Sequence, residues 1–157
     1  MLGGSGRGLA GISAAVLLVL AGCGGDGDEA EPLSKSEWIE QANEICAQAD
    51  VDIEALGDPA TLDEIGELTD EASGISRDAL ADLRALRPPE EDQATVDQML
   101  DLVEQQIEIG EQIGEAARNG DEAEVRRLAA EAQPLEAQAD EMGRQYGLDD
   151  CANDSDR

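Results

Sequence analysis

PEEDQATVDQMLDLVEQQIEIGEQIGEAARNG, residues 89–120, carries a sustained helical pattern. Its apolar residues recur at steps of mostly three and four, which places them on one face of an α-helix. They are Val96, Met99, Leu100, Val103, Ile107, Ile113 and Ala117. Acidic residues 90–92 follow Pro89, where they would complement the positive end of the helix dipole, and Asn119-Gly120 is typical of a helix end. The stretch therefore predicts an amphipathic helix from about Pro89 to Arg118.

The same periodicity occurs in three further segments, each opened by a capping residue with glutamate three positions later. These cap pairs are Ser34 with Glu37, Thr61 with Glu64, and Asp121 with Glu124. Gly57-Asp58-Pro59 ends the first segment, and Pro88-Pro89 ends the second. Pro134 lies inside the last segment and removes one backbone hydrogen bond, so we expect a kink or a split there.

Short connections between four long helices favour antiparallel neighbours. We therefore predict an all-α fold, an up-down four-helix bundle spanning residues 34–151. Two long hairpins packed as an elongated coiled coil are the alternative. The chain has no Phe, one Trp and one Tyr, so we expect a thin core rich in alanine.

The segment before the first helix is typical of a bacterial lipoprotein leader. An uncharged run, Leu9–Leu20, is too short to span a membrane and ends in Leu20-Ala21-Gly22-Cys23. We expect residues 1–22 to be a signal peptide and Cys23 to carry the lipid; the alternative is an uncleaved anchor helix. Residues 23–33 then form a flexible acidic linker, and residues 152–157 a disordered tail. Asp26 and Asp28 lack the later ligands of a calcium loop.

Charge limits the partners of this chain. The formal net charge is −28, and the nine basic and 38 acidic residues after Cys23 give −29. Such a charge repels nucleic acid and anionic head groups, so we expect no nucleic-acid role. We expect the protein at the extracytoplasmic face of the bacterial cell membrane, held by the lipid on Cys23, with a cationic or cell-wall partner possible. Its oligomeric state stays open.

Two cysteines remain after the anchor, Cys46 in the first helix and Cys151 beyond the fourth. An exported chain with two thiols favours a disulfide, and we expect Cα atoms less than about 7 Å apart. The alternative is two free thiols. Asn43 and Gln48 flank Cys46, and we expect them to be solvated or to cap rather than to face a groove.

The pattern of these residues resembles small secreted helical lipoproteins of actinobacteria. The matching positions are Trp38, Ala42-Asn43, Ile45-Cys46-Ala47, Leu86-Arg87-Pro88-Pro89, Gly120-Asp121, Tyr146-Gly147 and Cys151. The resemblance covers about residues 38–151 and implies a helical body with a paired cysteine near each end. It carries no catalytic residue across.

The residue types exclude most catalytic constellations. The chain has no histidine, so it has no Ser-His-Asp triad, no Cys-His pair and no Glu-x-x-His metal motif. We predict no catalytic, cofactor-binding or metal-binding residue and no enzyme. We expect a helical interaction or binding module of unknown ligand. The alternatives are divalent-cation binding by carboxylates, a structural envelope protein, and an enzyme with paired carboxylates.

Overall fold

The computed structural model describes residues 31–152 of the 157-residue chain. The described part consists of four α-helices joined by turns and contains no strand: α1 (Lys35–Glu54), α2 (Leu62–Ala85), α3 (Gln93–Arg118) and α4 (Glu122–Tyr146). The predicted signal peptide and the lipidation site Cys23 lie outside the described residues.

Three consecutive pairs of helices pack together, α1 with α2, α2 with α3 and α3 with α4, and α3 has the most extensive contacts, with both α2 and α4. Three ion pairs between α2 and α3 show the antiparallel register: Asp70 with Arg118, Arg77 with Glu111, and Arg84 with Glu104. The predicted all-α bundle is confirmed.

Local capping signals define the starts of three helices as predicted. Ser34 and Glu37 form a complete capping box, in which Ser34 N–H donates to Glu37 Oε2 at 3.0 Å and Ser34 Oγ accepts from Glu37 N–H at 3.4 Å. The side chains of Thr61 and Asp121 each accept from the backbone N–H three residues later. These contacts satisfy donors that a helix start leaves unpaired.

The predicted start of α3 near Pro89 is wrong. The helix begins at Gln93, and residues 90–92 form the turn before it. Asp92 makes no side-chain cap bond; its carboxylate instead accepts a hydrogen bond from Tyr146 of α4. Asp92 therefore takes part in a contact with α4, whereas the sequence suggested that it would lie in the first turn of α3 and stabilise the helix dipole.

Pro134 does not split α4, which runs without interruption from Glu122 to Tyr146. The proline lies on an exposed face of the helix. A backbone carbonyl that loses its partner on such a face remains open to water, so the helix tolerates the missing N–H.

Helix α3 has two buried faces instead of the one stripe that the sequence suggested. Leu102, Ile109 and Ala116, seven residues apart, are buried although they lie outside the predicted stripe. Ile109 and Ala116 form a small cluster with Leu128 of α4. The predicted stripe contributes to the main core, whose buried members are Trp38, Ala42, Leu80, Leu83, Val96, Met99, Leu100, Ile107, Tyr146 and Leu148.

Candidate functional site

The only tryptophan of the chain is fixed in the main core by an aromatic and ionic cluster. Trp38 is fully buried and meets the ring of Tyr146 edge-on, with ring centroids 5.6 Å apart. The opening of α1 places Lys35 Nζ 3.8 Å from the centroid of the Tyr146 ring, a cation–π contact. Tyr146 Oη donates to Asp92 Oδ2 at 2.9 Å, and Lys35 Nζ lies 3.4 Å from that same oxygen.

The phenol of Tyr146 stays neutral in this setting. Burial raises its pKa well above the ordinary value, and the hydrogen bond to the Asp92 carboxylate raises it further. The neutral phenol therefore remains a donor to Asp92, which ties the end of α4 to the start of α3.

A second set of contacts ties the C-terminal turn to α1. Cys46 and Cys151 form a disulfide with Cα atoms 5.0 Å apart, as predicted; the alternative of two free thiols is wrong. Asn43, one turn before Cys46, donates from Nδ2 to Gly147 O at 3.2 Å and accepts at Oδ1 from Asp150 N–H at 3.2 Å. Asn43 therefore connects α1 to the C-terminal turn through two hydrogen bonds, and the expectation that it is solvated or caps a helix is wrong.

The disulfide forms part of the wall of a cavity between the four helices, with a volume of about 220 Å³. Every helix contributes to that wall. Trp38, Ala49 and Ile53 come from α1, Ser76, Ala79, Leu80 and Leu83 from α2, Met99, Leu100, Val103 and Gln106 from α3, and Ala139 and Gly143 from α4. Small residues on α1, α2 and α4 leave the space open, since larger side chains there would fill the centre of the bundle.

Two unpaired donors lie in this otherwise mostly apolar wall. Among the described residues, Trp38 Nε1 and Gln106 Nε2 are the buried side-chain nitrogen or oxygen atoms without a hydrogen-bond partner. Both residues line the cavity. A buried donor left unpaired costs about 1–3 kcal/mol, and both atoms are enclosed by neighbouring atoms rather than open to the cavity.

A second, mainly apolar trough of about 380 Å³ lies beside the cavity, between α1, α2 and α3. Ile53, Ser76, Val103 and Gln106 line both spaces, so Gln106 lies where they adjoin. Beyond that point the trough is lined mainly by Leu56, Ile65, Leu68, Ala72 and Ile107. The trough lies within the range of about 300–1,000 Å³ that is typical of small-molecule sites, and the cavity is somewhat smaller.

Carboxylates surround these spaces without forming a metal centre. Asp50 and Asp140 line the cavity. A separate groove between α1 and α2 is lined by Glu44, Asp52, Asp78 and Asp82. Within residues 31–152, no group of three or more metal-type ligands is close enough to hold an ion.

Exposed ion pairs flank the contact between α2 and α3. The Arg77 guanidinium donates to both carboxylate oxygens of Glu111 at 2.7 Å and lowers the pKa of that acid. Arg84 lowers the pKa of Glu104 in the same way. Solvent-exposed pairs of this kind contribute little stability each, so they indicate register more than strength.

Comparisons with protein-family models, with curated proteins and with solved structures find no match for this chain. Among the described helices, none combines the length and the hydropathy that crossing a membrane requires.

The sequence indicated Cys46 and Cys151 but did not indicate Gln106. A signal for it exists in retrospect, because Gln106 falls three residues after Val103 and seven after Met99, within the apolar stripe of α3. A polar residue at a stripe position either finds a buried partner or faces a cavity. Only the packing of all four helices distinguishes the two.

Proposed function

We propose that this chain is an extracytoplasmic lipoprotein, anchored through Cys23, whose helical body binds a small molecule in the cavity between its four helices. The leader residues and the Leu20-Ala21-Gly22-Cys23 box support the proposed export and lipid anchoring. The resemblance of residues 38–151 to small actinobacterial lipoproteins supports it further. The cavity supports a binding role.

The observation that carries the binding role is the space itself, a cavity of about 220 Å³ whose mainly apolar wall comes from all four helices. Protein interiors are normally packed without voids of this size. An apolar ligand that fills the space supplies the missing packing contacts, and its binding stabilises the folded protein.

The binding role is tested with residues 24–157, which contain every contact described above and lack only the leader and the acylated cysteine. The probe is N-phenyl-1-naphthylamine, an uncharged apolar dye whose emission rises in apolar surroundings. We expect saturable binding with energy transfer from Trp38, the only tryptophan.

A matched pair of valines provides the control. Val103 lines the cavity, whereas Val51 of α1 is 59% exposed. Val103→Phe fills the space and abolishes the rise in dye emission, and Val51→Phe leaves it unchanged. Equal binding by both variants would place the dye elsewhere and refute the binding role.

The proposed lipid anchor on Cys23 is tested separately, in a bacterial host that processes lipoproteins. We expect the full chain to incorporate labelled palmitate and to fractionate with membranes. Cys23→Ala removes the label while Cys46 and Cys151 remain in place. Label retained in that variant would refute the anchor.

The acidic groove between α1 and α2 favours a second candidate function, the docking of a cationic partner. No basic residue lines this groove, and its four carboxylates come from two adjoining helices. A lysine oligomer bound there would dissociate at high salt, because exposed charges are screened. Asp78→Asn with Asp82→Asn weakens such binding, and binding unaffected by both would exclude the groove.

A further inference from the structure

We propose that the groove between α1 and α2 binds a basic amphipathic helix, whose apolar side chains enter the groove and whose lysines or arginines face the carboxylates beside it. This inference rests on the second candidate function, the docking of a cationic partner, and specifies the form of that partner.

The base of the groove is aliphatic and open to solvent. Its aliphatic lining residues come from both helices and are half-buried: Ile45, Ala49, Ile75 and Ala79. Among the described residues, Ile75 belongs to neither core cluster and is not one of the partly buried residues that pack against them. Its exposed surface is therefore not needed for the core, and an apolar side chain placed on it would remove that surface from water.

The sides of the groove are acidic and carry no neutralising charge. Four exposed carboxylates line it: Glu44, Asp52, Asp78 and Asp82. Within residues 31–152, none of the four lies in an ion pair, and Asp52 accepts a hydrogen bond only from the uncharged amide of Gln48, at 3.0 Å. Asp78 and Asp82 are four residues apart on one helix and repel each other, so a cationic partner removes a penalty that the free protein carries.

The basic residues of the two helices are engaged elsewhere. Helices α1 and α2 contain three of them, and each pairs with an acid at or just before α3: Lys35 with Asp92, Arg77 with Glu111, and Arg84 with Glu104. The charge of the groove is therefore left for a partner from outside the described residues. A second copy of this chain does not fit, because two copies with a formal charge of −28 each repel one another.

The form of the partner follows from the geometry of the groove. Two neighbouring helices form it, and residues 31–152 contain no strand edge that could pair with an extended peptide. A helix satisfies its own backbone hydrogen bonds and can lay an apolar face into such a groove. The lining residues of α1 extend from Gln41 to Asp52, a rise of about 17 Å, so a helix of about three turns covers the groove.

The test compares three labelled probes in their binding to residues 24–157. The first is a peptide of about 14 leucine and lysine residues, about four helical turns, with its leucines on one face. The second has the same composition in scrambled order, and the third is a lysine oligomer of the same charge. We expect fluorescence anisotropy to show the ordered peptide bound at least about tenfold more tightly than the other two, because it alone buries an apolar face.

A charge variant with a matched control tests the site. Asp78→Asn with Asp82→Asn should weaken the binding of the ordered peptide by about fivefold, the effect of two exposed ion pairs. Glu108→Gln with Glu115→Gln removes the same charge from exposed positions of α3 outside the groove and should leave the affinity nearly unchanged. Equal loss in both variants would place the peptide elsewhere and overturn the assignment to this groove.

An apolar variant tests the base of the groove in the same way. Ile75→Gln should weaken the binding of the ordered peptide by about tenfold and leave the lysine oligomer unaffected, because only the peptide uses the aliphatic surface. The control is Val51→Gln, at a position of α1 that is 59% exposed and does not line the groove. Peptide binding unaffected by Ile75→Gln would overturn the apolar contact.

The remaining outcomes separate this inference from the function on which it rests. Equal binding of the ordered and the scrambled peptide would overturn the amphipathic helix and leave the docking of a cationic partner intact. Absence of binding by all three probes would refute that docking function itself. The binding role of the cavity is decided by the dye alone and is affected by neither result.

Discussion

Replacing Gln106 by leucine should stabilise the ligand-free protein. The Nε2 atom of Gln106 is buried without a partner, so the native protein carries the penalty of a desolvated donor, about 1–3 kcal/mol. Leucine has a similar helix propensity and adds apolar surface against Val103 and Ile107, which lie on the same side of α3. We therefore expect the free energy of unfolding to rise by roughly 1–3 kcal/mol.

Urea unfolding of residues 24–157, followed by circular dichroism at fixed salt and without ligand, measures this change as a higher midpoint at an unchanged slope. Gln105→Leu is the control, because an exposed substitution away from special contacts changes stability by at most about 0.5 kcal/mol. A Gln106→Leu midpoint at or below that of the control would show that the amide is satisfied.

Three further predictions concern the framework around the cavity. Replacing both Cys46 and Cys151 by alanine should lower the free energy of unfolding by about 4.7 kcal/mol in the chain-entropy model, because the bond closes a separation of 105 residues; a urea midpoint close to that of the native protein would contradict it. In α2, Gly66→Ala should destabilise, since a Cβ there would lie 2.6 Å from an α3 side-chain carbon, whereas Gly74→Ala, with nothing within 4 Å, should stabilise by about 0.8–1.0 kcal/mol in the same urea assay. Burial and a carboxylate partner raise the pKa of Tyr146, so its contribution to stability is complete below about pH 10 and declines as the pH rises above that value. Absorbance of the single tyrosinate should therefore appear at higher pH in the folded protein than in urea, and coincident titrations would refute the contact.

Local chemistry allowed the helix starts at Ser34, Thr61 and Asp121 to be predicted, because a cap depends on residues within one turn. The start of α3 could not be predicted in this way. Asp92 is needed by Tyr146, 54 residues away, and no local pattern contains that information. The kink or split expected at Pro134 also could not be judged from local sequence. Whether a proline interrupts a helix depends on whether water can reach the carbonyl that loses its partner, and this depends on which face of α4 is exposed.

The disulfide could be predicted because exclusion left one pair of thiols, whereas the cavity could not. A periodic stripe shows which face of a helix is apolar but not how much space remains when four such faces meet. Ala49, Ala79 and Gly143 are unremarkable as small helical residues, yet together they border the opening at the centre. The buried position of Gln106 likewise depends on how the four helices pack.

The Cys46–Cys151 bond also changes how the molecule responds to peptidases. All three interhelical connections, at residues 55–61, 86–92 and 119–121, lie between the two cysteines. A single cut in any of them turns a closed covalent loop into an open one, and both pieces remain joined through sulfur. The severed helices therefore stay at high effective concentration and can pack again around the same core. A helical body closed in this way loses its integrity only after a second cut or after reduction of the disulfide.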